Sequence, residues 1–169
     1  MQLHKALFPY FLGLALCLSF PTFAQETETE ISGTIDKTTI ITGVGNIVPS
    51  AGTIITSAGT LTVGDSNKQT AGSLRNDNTI INSGAFNIDL GDFSNNGIFN
   101  SNTKTNVHTG SLNNSGTINN NLGEFTISSS GNFNNAGTFV NNANLSISGT
   151  FSNNFTTASY NGNGNIFLN

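Results

Sequence analysis

The chain is nearly free of cysteine. Its single cysteine, Cys17, lies in an apolar N-terminal stretch. If that stretch is removed on export, the remaining chain cannot form a disulfide framework even in an oxidising compartment. A lipoprotein with Cys17 as the lipidated residue is disfavoured, because Leu16 stands where a small residue is expected. Stability must therefore come from packing and hydrogen bonds.

Charge is also scarce, and positive charge most of all. The 169 residues include five Lys and Arg against nine Asp and Glu. Without Lys5, four basic residues face the same nine acids, so the net charge is 4 − 9 = −5. Nucleic-acid binders and proteins that dock on anionic membranes need basic patches. The composition excludes both as expected partners.

The first 24 residues have the organisation of a secretory signal peptide. A weakly basic start with Lys5 precedes the apolar stretch Leu7–Phe20, and Thr22 and Ala24 occupy the −3 and −1 positions of a cut before Gln25. Such a segment is removed during export and does not span the membrane. We expect a secreted chain of about 145 residues, which is enough for one compact domain and includes no membrane span.

A frame of about twenty residues repeats through the rest of the chain. Each copy opens on an apolar residue, continues with polar residues rich in Asn and Gly, and carries a second apolar residue six positions later. The copies begin at Val48, Leu74, Phe93, Leu112, Phe133 and Phe151. Short strands and polar turns at this period are typical of a solenoid, in which each repeat buries its apolar side against its neighbours.

Each full repeat divides into three short strand segments. The third segment alternates apolar and polar residues, as in Phe125–Ile127, which places the apolar residues on one face. Three segments per repeat predict an all-β fold, a three-sided parallel β-helix (β-solenoid) of about five to six turns. The predicted core stack comprises Leu74, Phe93, Leu112, Phe133, Ile80, Phe99, Ile118 and Phe139.

The repeat frame also sets the expected boundaries. Residues 1–24 form the signal peptide, and residues 25–47 form an acidic N-terminal segment with a capping strand. Residues 48–157 form the solenoid repeats, and residues 158–169 form a C-terminal cap or tail. An insertion at Gly64–Thr70 lengthens the first repeat and predicts a polar loop at one corner.

Asparagine recurs two positions after the opening apolar residue. Stacked amides can bond along a fibre or rod axis as a ladder. Glycines such as Gly97, Gly116 and Gly137 are expected to supply left-handed backbone near the same corners. The predicted structural ladder is Asn76, Asn95, Asn114, Asn135 and Asn153. A second, less regular column is Asn82, Ser101, Asn120 and Asn141.

Some secreted β-helices are carbohydrate-active enzymes, which need clustered carboxylates to transfer protons. The candidates here are Asp77, Asp89 and Asp92, with Arg75 nearby. Because these residues fit scattered surface positions, we predict that the chain is not an enzyme. His108 has no neighbouring metal-ligand partners in the sequence, so we expect neither a metal site nor a cofactor.

A column of outward threonines raises ice binding as another alternative. It does not form a paired Thr-x-Thr array, and the strand preference of threonine accounts for it. The column comprises Thr53, Thr79, Thr117, Thr138 and Thr156, interrupted by Ile98.

Two repeats, Leu112–Asn120 and Phe133–Asn142, resemble the degenerate repeats of secreted bacterial β-helix adhesins. These adhesins are the passenger domains of autotransporters and the filamentous-haemagglutinin-like proteins, and the likeness covers about residues 48–157. The resemblance implies a right-handed β-helix at the bacterial cell surface and transfers no catalytic residue. We expect neither a membrane barrel nor a large transport domain within these 169 residues, as in a small stand-alone secreted protein or a truncated reading frame.

The leading hypothesis is an exported, non-enzymatic β-solenoid that acts as a structural or adhesive protein in adhesion or biofilm contact. Its expected partners are glycans or proteins on host or neighbouring cells. The alternative is a self-assembling extracellular fibre subunit, which would associate through the solenoid ends.

Overall fold

A computed structural model describes residues 29–48, 51–153 and 158–169. The predicted signal peptide lies outside the described residues. Within them the chain is all-β, with no helix. The strands are β1 (Thr29–Glu30), β2 (Gly33–Ile35), β3 (Thr38–Ile41), β4 (Gly43–Val48), β5 (Thr53–Ile55), β6 (Thr60–Val63), β7 (Gly72–Asn76), β8 (Thr79–Asn82), β9 (Ala85–Ile88), β10 (Gly91–Asn95), β11 (Ile98–Ser101), β12 (Lys104–Val107), β13 (Ser111–Asn114), β14 (Thr117–Asn120), β15 (Glu124–Ile127), β16 (Asn132–Asn135), β17 (Thr138–Asn141), β18 (Asn144–Ile147), β19 (Thr150–Ser152), β20 (Ser159–Asn161) and β21 (Ile166–Leu168).

Every strand pairs in parallel with the strands three places before and after it in the chain. The result is three seven-stranded sheets: sheet one begins with β1, sheet two with β2 and sheet three with β3. Three consecutive strands form one coil, and the chain completes six turns between β1 and β19, the outer strands of sheet one. The predicted three-sided β-solenoid is confirmed.

The eight residues of the predicted core stack are buried on the inward faces of sheets one and two. In sheet one, Phe93 lies in register between Leu74 and Leu112. In sheet two, Phe99 lies between Ile80 and Ile118. Side chains of these positions are 0–2% exposed and fill the interior. Three phenylalanines of adjacent sheets, Phe86, Phe93 and Phe99, meet with ring centroids 4.9–5.5 Å apart. Tilted and edge-on contacts of this kind are favourable for aromatic rings.

The register of the earliest copy differs from the prediction. Val48 pairs with Asn76 and not with Leu74, and Thr53 pairs with Ile80. Val48 is therefore two residues from its predicted register and stays on the inward face, whereas Thr53 is one residue away and turns inward. Strand β4 also carries a register shift between Gly43 and Asn46, where one extra residue has no partner on β7. Thr53 is buried and donates its hydroxyl to the Ile31 carbonyl at 2.5 Å.

Parallel stacking extends beyond the predicted repeats at 48–157. Strands β1, β2 and β3 form a coil of their own on the N-terminal side. On the C-terminal side, β20 and β21 continue sheets two and three. These segments pair in parallel like the repeats between them.

The corner glycines act differently from what their sequence position suggests. Gly97, Gly116 and Gly137 are absent from the glycines with positive φ, so left-handed backbone is not the reason for them. A Cβ on Gly97 would lie 2.0 Å from the Asn78 carbonyl oxygen, and one on Gly116 would lie 2.1 Å from that of Gly97. The coils that carry Gly97, Gly116 and Gly137 leave room only for a hydrogen at this corner, and that close approach selects glycine. The coil before them has Asn78 at the same position.

Candidate functional site

The most regular feature of the interior is the asparagine ladder. Asn76, Asn95, Asn114 and Asn135 are 0–2% exposed, at the inward positions where the strands of sheet one end. Each Nδ2 donates to the Oδ1 of the next ladder residue at 2.6–2.7 Å, up to Asn153. The predicted ladder is therefore present, and it lies inside the coils.

Ladder residues also satisfy backbone groups at the corner. Asn95 donates to the Gly97 carbonyl and to the Thr117 carbonyl of the next coil, both at 3.1 Å. Asn114 donates to the Thr138 carbonyl at 3.0 Å. Because a buried polar group without a partner costs free energy, these bonds allow amides to occupy an otherwise apolar interior.

The second column, between sheets two and three, is interrupted at Ser101. Asn120 donates to Asn141 Oδ1 at 2.7 Å, as in the first ladder. Ser101 instead lies 2.8 Å from the hydroxyl of Thr105, which occupies the core position held by Phe86 and Phe125 in the adjacent coils. The Oδ1 of Asn120, which faces the Ser101 coil, is buried and has no hydrogen-bond partner among the described residues.

Outward-facing asparagines form further pairs that the sequence analysis missed. Asn119 donates to Asn100 on sheet two, and Asn106 donates to Asn87 on sheet three, both at 2.8 Å. The partners are 19 residues apart, so the repeat period applied to outward positions would have found them. The amide pairs join neighbouring coils by hydrogen bonds on the outer faces of sheets two and three.

Two of the three candidate catalytic acids have structural partners. Asp77 accepts from Arg75 Nε at 2.7 Å and from Asn96 Nδ2 at 2.8 Å. The Asn96 bond, followed by the Arg75 bond and charge, lowers the pKa of Asp77 below its ordinary value. Asp92 is exposed at the start of the outward face of sheet one, between Ser73 and Ser111. Asp77 is therefore salt-bridged and Asp92 is solvated.

The third acid, Asp89, holds the polar loop. Its Oδ2 accepts from the backbone N–H of Ser66 at 3.0 Å and from the Ser66 hydroxyl at 2.5 Å. The Ser66 hydroxyl bond is the main cause that lowers the pKa of Asp89, with smaller contributions from the Ser66 N–H and the charge of His108. Asp65 and Thr70 close the loop with two antiparallel backbone bonds of 2.8 and 3.0 Å. The inserted loop is therefore hydrogen-bonded to the solenoid next to strand β9.

A depression of about 270 Å³ opens between this loop and the outer face of sheet three. We call it the corner depression. Its apolar part is Ile40, which is 48% exposed. Its polar lining comprises Thr62, Asp65, Asn67, Asn87, Asp89 and His108. The loop, Asp89 and His108 share no motif in the sequence, and only the stacking of coils brings them together.

The next features are the possible metal ligands and the outward threonine column, the residues considered for metal binding and ice binding. Among the described residues no three His, Cys, Asp or Glu side chains form a group that could hold a metal ion. The outward threonine column comprises Thr79, Thr117 and Thr138, with Ile98 between them. Thr53 is wrongly placed in that column, since it is buried in the core, and Thr156 lies outside the described residues.

No helix in the described part of the chain is long and apolar enough to cross a membrane. No family model matches the chain, and neither a curated protein nor a solved structure matches it. Fold and interior together define the class: a three-sided parallel β-solenoid whose coils are joined by buried asparagine ladders.

Proposed function

We propose that this chain is an exported, non-enzymatic β-solenoid that serves as a structural or adhesive protein at an extracellular surface. One observation carries the proposal. Two of the three candidate acids are engaged in hydrogen bonds that hold the rod itself. The signal-peptide pattern of residues 1–24 and the repeat resemblance support an extracellular, bacterial cell-surface location.

Export and adhesion have separate tests. The full-length gene is expressed in a bacterial host, and the N-terminus of the protein recovered from the periplasm or medium is sequenced. A new N-terminus at Gln25 is the expected result, and an intact Met1 would contradict export by cleavage. The recovered protein is then applied to immobilised glycans, matrix proteins and whole cells. Saturable retention on one of these surfaces supports adhesion, and no retention on any of them overturns it.

A self-assembling fibre subunit is the second candidate function. It is favoured by strand β21, where Ile166, Phe167 and Leu168 are 48%, 49% and 79% exposed. An exposed apolar strand at a sheet edge is a template for pairing with another chain. Negative-stain microscopy and sedimentation velocity decide between the candidates. Long unbranched filaments that disappear in Phe167→Lys favour the fibre, and short monodisperse rods exclude it.

A further inference from the structure

We infer that the corner depression binds a single saccharide unit of a glycan. The inference deepens the proposed adhesive function and rests on it. The depression combines acceptors, donors and one apolar contact: the carboxylates of Asp65 and Asp89, the amides of Asn67 and Asn87, and Ile40.

The chemistry of the lining selects the ligand class. Asp65 is paired with Lys68, whose Nζ lies 3.3 Å from its Oδ2, so the Asp89 carboxylate is the charge that disfavours an anion through like-charge repulsion. A metal ion lacks the group of three ligating side chains that it would need within the described residues. Apolar ligands would leave the polar lining without partners at a cost in free energy. A ligand with several hydroxyl groups fits, because each hydroxyl both donates to a carboxylate and accepts from an amide.

Acceptor capacity remains in the depression after the internal bonds are formed. Both Ser66 bonds fall on Oδ2 of Asp89, and no bond joins Oδ1 to another described residue. A carboxylate offers about four lone-pair sites, so Asp89 can accept from a sugar hydroxyl without releasing the loop. Hydrogen bonds to an ionised acceptor are shorter and stronger than neutral ones.

The site is also held in place before a ligand arrives. Asn87 accepts from Asn106 at 2.8 Å and lies 3.4 Å from the Thr62 hydroxyl, so its amide orientation is set by its neighbours. The loop is fixed by Asp89 and by the Asp65–Thr70 bridge. Pre-organised groups lose less entropy on binding.

Size limits what the depression holds. At about 270 Å³ it falls just below the usual range of small-molecule sites, roughly 300–1,000 Å³. One sugar ring with its substituents matches this volume better than a long chain segment does. Affinity for one ring is expected in the millimolar range, and many copies on a surface would raise the effective strength by avidity.

The test is a two-dimensional ¹H–¹⁵N titration of the protein recovered from cells expressing the full chain. Methyl α-glucoside, methyl α-galactoside, methyl α-mannoside and N-acetylglucosamine are the probes. We expect at least one to shift the amide signals of Asn67, Asn87, Asp89 and His108. Asn87→Ala and Asn67→Ala should each weaken that sugar at least five-fold. Asn100→Ala, which removes the same outward acceptor from sheet two, should leave the affinity unchanged.

Three outcomes would overturn the inference: no probe shifts these amides, the shifts fall on other faces, or calcium chloride shifts them while the sugars do not. Adhesion is scored separately. If Asn67→Ala and Asn87→Ala adhere to glycans or cells as strongly as the unaltered protein, the adhesive function stands and the site is wrong. If the unaltered protein adheres to no surface, the adhesive function itself fails.

Discussion

Asn95 donates from Nδ2 to Oδ1 of Asn114 at 2.7 Å, across one coil of 19 residues. Both amides are buried, and each also bonds the backbone of the next coil. The pair therefore joins side chain to side chain and side chain to main chain at the same corner. Repetition of this unit along sheet one ties neighbouring coils together inside the rod, where water does not compete.

The first prediction concerns this ladder. Asn114→Ala leaves the buried Oδ1 of Asn135 without its donor and removes the bond to the Thr138 carbonyl. It also takes from Asn95 Nδ2 the shortest of its three bonds, and the bonds to the Gly97 and Thr117 carbonyls remain. Each buried polar group left without a partner costs about 1–3 kcal/mol, so we expect a loss of about 3 kcal/mol or more in the free energy of unfolding. Urea denaturation followed by circular dichroism measures it.

Asn113 provides the control for the ladder, because it is the adjacent residue on the same strand and faces outward. Its Oδ1 accepts from Asn134 at the surface. Asn113→Ala should cost less than about 1 kcal/mol, as expected for an exposed hydrogen bond. If Asn113→Ala and Asn114→Ala lower the free energy of unfolding equally, the buried ladder bonds stabilise the protein no more than exposed ones do.

A second prediction follows from the interrupted column. Ser101→Asn should place a donor opposite the buried Oδ1 of Asn120, and its own Oδ1 opposite the Asn82 amide. In the unaltered protein the Thr105 hydroxyl is the core partner of Ser101. The substitution is therefore combined with Thr105→Leu, which places an apolar residue in register with the phenylalanines of the neighbouring coils. We expect the double variant to gain about 1 kcal/mol.

Thermal and urea unfolding of both single variants and the double variant measure this gain. Thr105→Leu alone should be less stable than the double variant, because it strips Ser101 of its hydroxyl partner. A double variant that unfolds at a lower urea concentration than the unaltered protein would show that Ser101 and Thr105 are the better pair.

The third prediction concerns Gly116, which has an ordinary φ and yet no room for a side chain. A Cβ there would lie 2.1 Å from the Gly97 carbonyl oxygen, so Gly116→Ala must push two coils apart. We expect a loss of about 2 kcal/mol or more, in the range of other steric substitutions in packed structures. Ser115→Ala, at the exposed neighbouring position, is the matched control. A stable Gly116→Ala protein would show that the corner yields easily.

The sequence alone was sufficient to predict the periodic part of the fold. Leu74, Phe93, Leu112 and Phe133 recur with Asn two residues later, and this spacing alone predicts their stacking and the ladder. The period failed in the earliest copy, where Val48 lies two residues and Thr53 one residue away from the predicted register. A single inserted residue reverses which side chains face the core.

The candidate site was much less predictable than the fold. Asn67, Asn87, Asp89 and His108 come from a loop and two successive coils, and they share no motif. Their meeting depends on where the inserted loop folds back, which is set by the Ser66–Asp89 bonds. These contacts depend on three-dimensional stacking and do not follow from a spacing in the sequence.

The last prediction tests those bonds through pH. Asp89 has a pKa below its ordinary value of 3.8, chiefly because the Ser66 hydroxyl bonds its ionised form. A lowered folded-state pKa means that the stabilisation is complete above the ordinary value and is lost as pH falls through the lower folded value. The Asp89 carboxyl carbon, followed by ¹³C NMR, should therefore titrate below 3.8, with the Ser66 amide signal moving in parallel.

Ser66→Ala should move that titration upward toward the ordinary value, while Ser94→Ala on sheet one should not. If Asp89 titrates identically in the unaltered protein and in Ser66→Ala, the Ser66 hydroxyl does not bond this carboxylate, and the loop is held by the Ser66 N–H and the Asp65–Thr70 bridge.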